Sequence, residues 1–194
     1  MSEQKIKQKV IKPTVEEIYK QYITDDALQK GANRLFKIAC EYEMKNRWMS
    51  YNSFTFTYKG KNVFNITIRA TMKNKGVRKI DPTNHFIVQL SLGKKHEVEA
   101  LLLSQSQQLR AEYVANKYIS CMVCAGTPEG RVIRNLICDN VLDFEVSGEM
   151  HPLCTCNFGY ACHNPSAAQF DMIEQFIMTR IDAIKGGKHH EYSQ

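Results

Sequence analysis

Six of the seven cysteines fall between positions 121 and 162: Cys121, Cys124, Cys138, Cys154, Cys156 and Cys162, with His163 directly after the last. The first pair reads C-M-V-C and the later group C-T-C-N-F-G-Y-A-C-H. Thiols this dense suggest a metal site, a redox pair or disulfides. An odd total leaves at least one thiol unpaired within the chain. Zinc is the first reading, because Zn²⁺ takes four tetrahedral ligands and favours sulfur and imidazole. A C-x-x-C turn sets two thiolates on one ion, and a second pair must arrive from elsewhere. The 29 residues between Cys124 and Cys154 leave room for a two-stranded ribbon that brings the pairs together. The expected ligands of this structural zinc are Cys121, Cys124, Cys154 and Cys162, with Cys156 competing for a place. Of the neighbours Cys162 and His163, at most one is expected to ligate.

Two other chemistries compete. A thiol–disulfide pair at Cys121 and Cys124 works best when the first thiol opens a helix, where its pKa falls. Here a helical pattern precedes Cys121, and Ala125-Gly126-Thr127-Pro128 does not start one. A nucleophilic thiol would pair Cys154 with His151. Plain packing is the third option, since a buried thiol behaves as a small hydrophobe. Cys138, which extends Leu136-Ile137, and Cys40 are read that way.

The elements that must hold these residues follow from period and caps. Thr14 and the acidic Glu16-Glu17 start a short helix over 14–22. Thr24 caps a longer one over 25–45, with Leu28, Ala32, Leu35, Ala39 and Tyr42 as its stripe and Lys45 as its close. Phe54, Phe56 and Tyr58, then Phe64, Ile66 and Ile68, alternate with polar residues around a turn at Lys59-Gly60-Lys61-Asn62. That is a hairpin with one apolar face. Phe86 to Leu92 gives a third strand, and short connections make the three an antiparallel meander. Residues 95–120 are helical with a break near Ser104. Strands are expected near 131–138 and 141–147, and 148–163 reads as an ordered loop. Asn164 caps a last helix with Pro165 in its first position and the stripe Phe170, Ile173, Ile177, Ile181 and Ile184. The fold class is α+β: an antiparallel β-meander packed against N-terminal, middle and C-terminal helices, with a Cys-rich β/loop segment.

The aromatic sheet face suggests a small-molecule pocket lined by Trp48, Tyr51, Phe56 and Phe64, with core packing as the competing reading. Arg69, Lys73, Lys75, Arg78 and Lys79 offer a phosphate-binding segment over 69–79, set against a solvated loop. No G-x-S-x-G, Walker loop, G-x-G-x-x-G or H-E-x-x-H occurs.

From Arg47-Trp48 through Tyr58-Lys59-Gly60-Lys61 to Phe86-Ile87-Val88-Gln89-Leu90-Ser91-Leu92-Gly93-Lys94-Lys95, the layout resembles small uncharacterised bacterial α+β proteins of the YdhG/YjbR-like group. The resemblance covers about residues 25–110. It implies a compact sheet-and-helix domain and carries no chemistry across. The cysteine segment lies outside it.

The 194 residues are expected to form one domain over 14–187, between a basic tail at 1–13 and a polar tail at 188–194. A formal charge of +6 permits acidic partners without requiring them. The polar N-terminus has no apolar leader core, and no stretch has the length of a membrane span. The reading is therefore a cytoplasmic, non-enzymatic binding or regulatory domain with a structural zinc, with an unknown small molecule or protein as partner and no membrane. The alternatives are a cysteine-dependent redox or thiol enzyme, and a nucleic-acid binder using 69–79.

Overall fold

The computed structural model describes residues 12–23, 25–50, 52–68, 86–117, 140–155 and 159–186. Their contacts group the chain into two compact units, Met1–Val88 with Cys162–Asp171, and Gln89–Ala161 with Met172–Gln194. Among the described residues there are five helices and seven strands. They are α1 (Val15–Tyr22), α2 (Asp26–Glu41), β1 (Lys45–Ser50), β2 (Ser53–Tyr58), β3 (Lys61–Ile68), β4 (Phe86–Leu90), α3 (Lys95–Leu103), α4 (Gln107–Ala115), β5 (Val141–Val146), β6 (Glu149–Cys154), β7 (Tyr160–His163) and α5 (Ala167–Gly186). One antiparallel sheet runs β1-β2-β3-β4-β7, and β5 pairs with β6 alone. The class is α+β, as the sequence predicts.

In the first unit, caps fix where the helices start. Thr14 Oγ1 accepts from the Glu17 amide at 3.3 Å, and Glu17 Oε2 accepts from the Thr14 amide at 2.7 Å, a complete capping box for α1. The cap of α2 is Asp25, which accepts from the Leu28 amide at 2.8 Å; Thr24 lies outside the described residues. The stripe of α2 is buried at Leu28, Gly31, Ala32, Leu35, Ile38 and Ala39. Cys40, expected in the core, is exposed. It stands one residue past Ala39, and that step of about 100° carries it off the stripe. Gly31 is required by packing, because a Cβ there would run into the Phe170 ring.

A line of aromatics holds these helices to the sheet. Tyr19 meets Phe36 edge-on at 5.4 Å, Phe36 stacks toward Phe56 at 6.3 Å, and Phe56 stacks on Phe64 at 4.4 Å. Burying each of these large apolar side chains contributes about 1.5–3 kcal/mol. The expected apolar face of the hairpin is present, but the polar face is buried too. Ser53, Thr55 and Asn65 are all under 9 % exposed. Ser53 Oγ bonds Thr67 Oγ1 at 3.1 Å, and the Asn65 amide donates to Ser53 Oγ at 3.4 Å, so hydroxyl and amide groups satisfy one another there.

The second helix was expected to run to Lys45, with no strand before the hairpin. Instead α2 stops at Glu41, and Lys45 opens β1 opposite Thr57. The Met44 amide donates to Ala39 O at 2.8 Å and the Glu43 amide to Cys40 O at 3.0 Å. These are the two bonds of a Schellman stop, with Glu43 in the left-handed position at φ +49°.

The segment expected as a loop after 148 holds two strands. β6 pairs with β5 from Val146↔Glu149 to Val141↔Cys154 in the second unit, and β7 follows. The cap of α5 is Ser166, not Asn164: its Oγ accepts from the Gln169 amide at 3.3 Å, and Gln169 Oε1 accepts from the Ser166 amide at 3.0 Å. Asn164 instead ties the backbone to Phe86, donating its amide to Phe86 O at 2.7 Å and accepting from the Phe86 amide at 3.0 Å. The stripe of α5 is buried as expected at Phe170, Ile173, Ile177, Ile181 and Ile184.

In the second unit, α3 and α4 are separated at the expected break. Ser106 caps α4 through the Leu109 amide at 3.3 Å. Glu97 folds back to accept from the Lys94 amide at 2.7 Å and pairs with the buried Arg180 at 2.9 Å. Gly93, at φ +109°, leaves the space these two side chains occupy. Tyr113, Tyr160 and Phe176 pack in a triangle with ring centroids 5.7–6.0 Å apart. No described helix is long and apolar enough to cross a membrane.

Candidate ligand pocket

Two corners of the first unit meet around one depression. The first corner is the Schellman stop of α2, which presents Glu41, Tyr42 and Glu43. The second is the end of β2, where Tyr58↔Lys61 closes a two-residue turn of Lys59 and Gly60. Both turn residues have positive φ, +47° and +77°, the signature of a type I′ hairpin. Glu41, Tyr42, Glu43, Tyr58 and Lys59 together border a shallow, open depression of about 330 Å³.

The two rings are nearly perpendicular, with centroids 6.1 Å apart and an interplanar angle of 88°. Both tyrosines are half-buried, while Glu41, Glu43 and Lys59 are exposed. The Lys59 ammonium lies over the Tyr58 ring, 5.1 Å from its centroid. Glu41 also has Lys37 at 3.8 Å, a solvent-exposed contact that holds it weakly. The lining therefore combines two tyrosines with two carboxylates, one ammonium and the carbonyl end of a 16-residue helix, itself partially negative. No thiol, hydroxyl of serine or threonine, or imidazole is among the five lining residues. Its ionisable groups are two carboxylates, two phenols and one ammonium.

Of the four aromatics expected to line a pocket, Tyr51 lies outside the described residues. Phe56 and Phe64 are 2 % and 0 % exposed and stack on each other in the core. Trp48 stands half-buried on β1 opposite Phe54. These three are not among the residues around Tyr42 and Tyr58.

Of the cysteines, Cys121, Cys124, Cys138 and Cys156 lie outside the described residues, as do the strand expected at 131–138, the basic segment 69–79, and the end residues 1–11 and 187–194. Cys154 ends β6, partly exposed, and Cys162 is buried on β7. His163, next along β7, is exposed. Neighbouring positions on a strand point to opposite faces, so a site that used Cys162 would not use His163. Among the described residues, no three His, Cys, Asp or Glu side chains come close enough to hold a metal ion.

Two phenols are perturbed away from the pocket. Burial pushes the Tyr113 hydroxyl well above the usual phenol range, and the neighbouring Cys154 adds to the rise. Burial also raises Tyr19.

The sequence did carry a signal for the pocket. Glu41-Tyr42-Glu43 sits where a helical stripe gives way to strand period, and Tyr58-Lys59-Gly60 sits at a hairpin turn. An aromatic between charges at such a corner is freed from the core. Comparison with family models, with curated proteins and with solved structures finds no match.

Proposed function

We propose that this chain is a non-catalytic binding domain whose ligand site is the tyrosine corner between α2 and the β2–β3 turn. The perpendicular Tyr42 and Tyr58 rings at an open depression of about 330 Å³ carry the reading. Pairs of ring faces with charged groups at the rim give a ligand both apolar contact and orientation. A small-molecule fragment screen read through the ring NMR signals of Tyr42 and Tyr58 tests it. Ligands are expected to shift both sets of signals, and Tyr58→Ala is expected to abolish their binding. Ligands that bind yet leave both rings unshifted would show that the site lies elsewhere.

A structural zinc in the cysteine-rich segment is the second reading. It rests on the six cysteines between 121 and 162. Metal ligation would stabilise the fold directly, because the site does not exist in the unfolded chain. About one zinc per chain by elemental analysis, and a lower melting temperature after chelation, are expected. Metal-free protein whose melting temperature ignores chelator removes this reading and leaves the pocket untouched.

A further inference from the structure

We propose that the tyrosine corner selects an alkylated ammonium group, such as a methylated amine or a quaternary ammonium, and that Lys59 is a built-in competitor for it. The inference rests on the ligand-pocket reading above and adds the class of ligand and its control.

The sign of the charge comes first. Every feature of the wall other than Lys59 favours a cation: two tyrosine rings, two carboxylates, and the carbonyl end of α2. An anion would meet the same groups as repulsion.

Alkylation follows from the mixture of walls. A bare ammonium or alkali ion is strongly hydrated and needs several oxygen ligands to replace its water. The depression offers two carboxylates and two tyrosine rings. A methylated ammonium spreads its charge over C–H surface that loses water easily and can rest on aromatic rings. Perpendicular rings touch such a group on two sides at once.

Lys59 shows that the face of Tyr58 attracts a cation, since its own ammonium already sits there at 5.1 Å. It is placed there by the hairpin turn, in a left-handed conformation that lysine does not favour. Asn followed by Gly is the preferred pair for this turn, so the lysine is not what the backbone asks for. An incoming cation must displace this ammonium and feels its charge until it has left. The side chain is exposed on a turn tip and has a long flexible stem, so it can swing away.

The test titrates the full chain with choline and with 3,3-dimethylbutan-1-ol, which has the same shape and no charge. Three forms are compared: the native chain, Lys59→Asn, which suits the turn and removes the ammonium, and Lys59→Arg, which keeps the charge. Choline is expected to bind at least about tenfold more tightly than the neutral analogue, and Lys59→Asn to tighten choline by about threefold or more, in line with losing one exposed cation–π competitor. Lys59→Arg, which keeps a cation beside the ring, is expected not to tighten choline binding. Equal binding of the two probes overturns the cation class and leaves the pocket standing. Choline affinity unchanged or weakened in Lys59→Asn, with its melting temperature intact, overturns the role of Lys59. Failure of both probes to bind either the native chain or Lys59→Asn overturns the pocket reading with the inference.

Discussion

Among the described residues, each unit holds one close pair of tyrosines, and the two pairs have opposite surroundings. Tyr42 and Tyr58 meet edge to face at 6.1 Å, half-buried, with two carboxylates and a lysine around them. Tyr113 and Tyr160 lie 5.7 Å apart at a 30° tilt, both fully buried, with Phe176 closing the triangle. The inner pair also anchors polar atoms. Tyr160 donates to Glu112 Oε1 at 3.3 Å, and a Cβ at Gly159 would reach the Tyr113 hydroxyl at 2.6 Å. Side chains of the same type thus do two jobs. In the second unit the rings fill space and are used up by packing. In the first, the rings stay half-buried at the rim of the unit, with charged side chains beside them.

Stability should separate the pairs most strongly. Tyr113→Ala empties a fully buried aromatic site and is expected to cost about 3–5 kcal/mol, as large aromatic truncations in cores do. Tyr58→Ala removes a half-buried ring from a strand end and is expected to cost roughly 1 kcal/mol, within the ordinary range for substitutions outside the core. Urea denaturation of the two variants checks this. Equal losses would mean that the outer pair is core as well, and the functional contrast would fail.

Alkali should separate them next. The raised Tyr113 phenol stays neutral in the folded chain, while in the unfolded chain it ionises near pH 10. Its contribution is therefore fully present below pH 10. It is lost as pH rises above 10 towards the folded value, because the unfolded state releases a proton that the folded state holds. Melting temperature is expected to fall more steeply above pH 10 in the native chain than in Tyr113→Phe. Identical alkaline slopes would show that Tyr113 is not the group responsible.

The sequence made the packed parts of this contrast legible and left the open part obscure. The stripes of α2 and α5 and the alternation of β2 and β3 were readable because buried residues must obey the period of their element. The start of α1 at Thr14 was readable because Glu16 and Glu17 put acidic residues in its first turn. Strands β6 and β7 were not, since Pro152, His151 and His163 interrupt any alternation and pairing alone defines them. The cavity was harder still. Tyr42 obeys the stripe of α2 and Tyr58 the alternation of β2, so each is counted as core from its own element. Only the closure of α2 onto β1, and of β2 onto β3, brings them 6.1 Å apart and leaves them half-exposed.

Backbone strain gives the smallest and most specific comparison. The β5–β6 hairpin turns through Ser147 and Gly148 at φ +55° and +84°, much as Lys59 and Gly60 do at +47° and +77°. Ser147 there accepts a bond from the Gln107 amide at 3.1 Å and borders no described cavity. At the pocket, the left-handed positions carry charge instead: Lys59 in the turn and Glu43 in the helix stop, where glycine is the usual occupant. A left-handed residue other than glycine costs about 1–2 kcal/mol, and glycine returns about 0.4–1 kcal/mol of that through the freer unfolded chain. Glu43→Gly is therefore expected to raise stability by about 0.5–1 kcal/mol while weakening choline binding several-fold. Glu43→Gln keeps the strain and removes the charge, so it should leave stability near native and weaken binding alike. Urea midpoints and choline titrations on both variants read the two effects separately. Glycine that stabilises the chain with no loss of binding would make Glu43 a bystander, and the strain at this corner would then have no ligand to explain it.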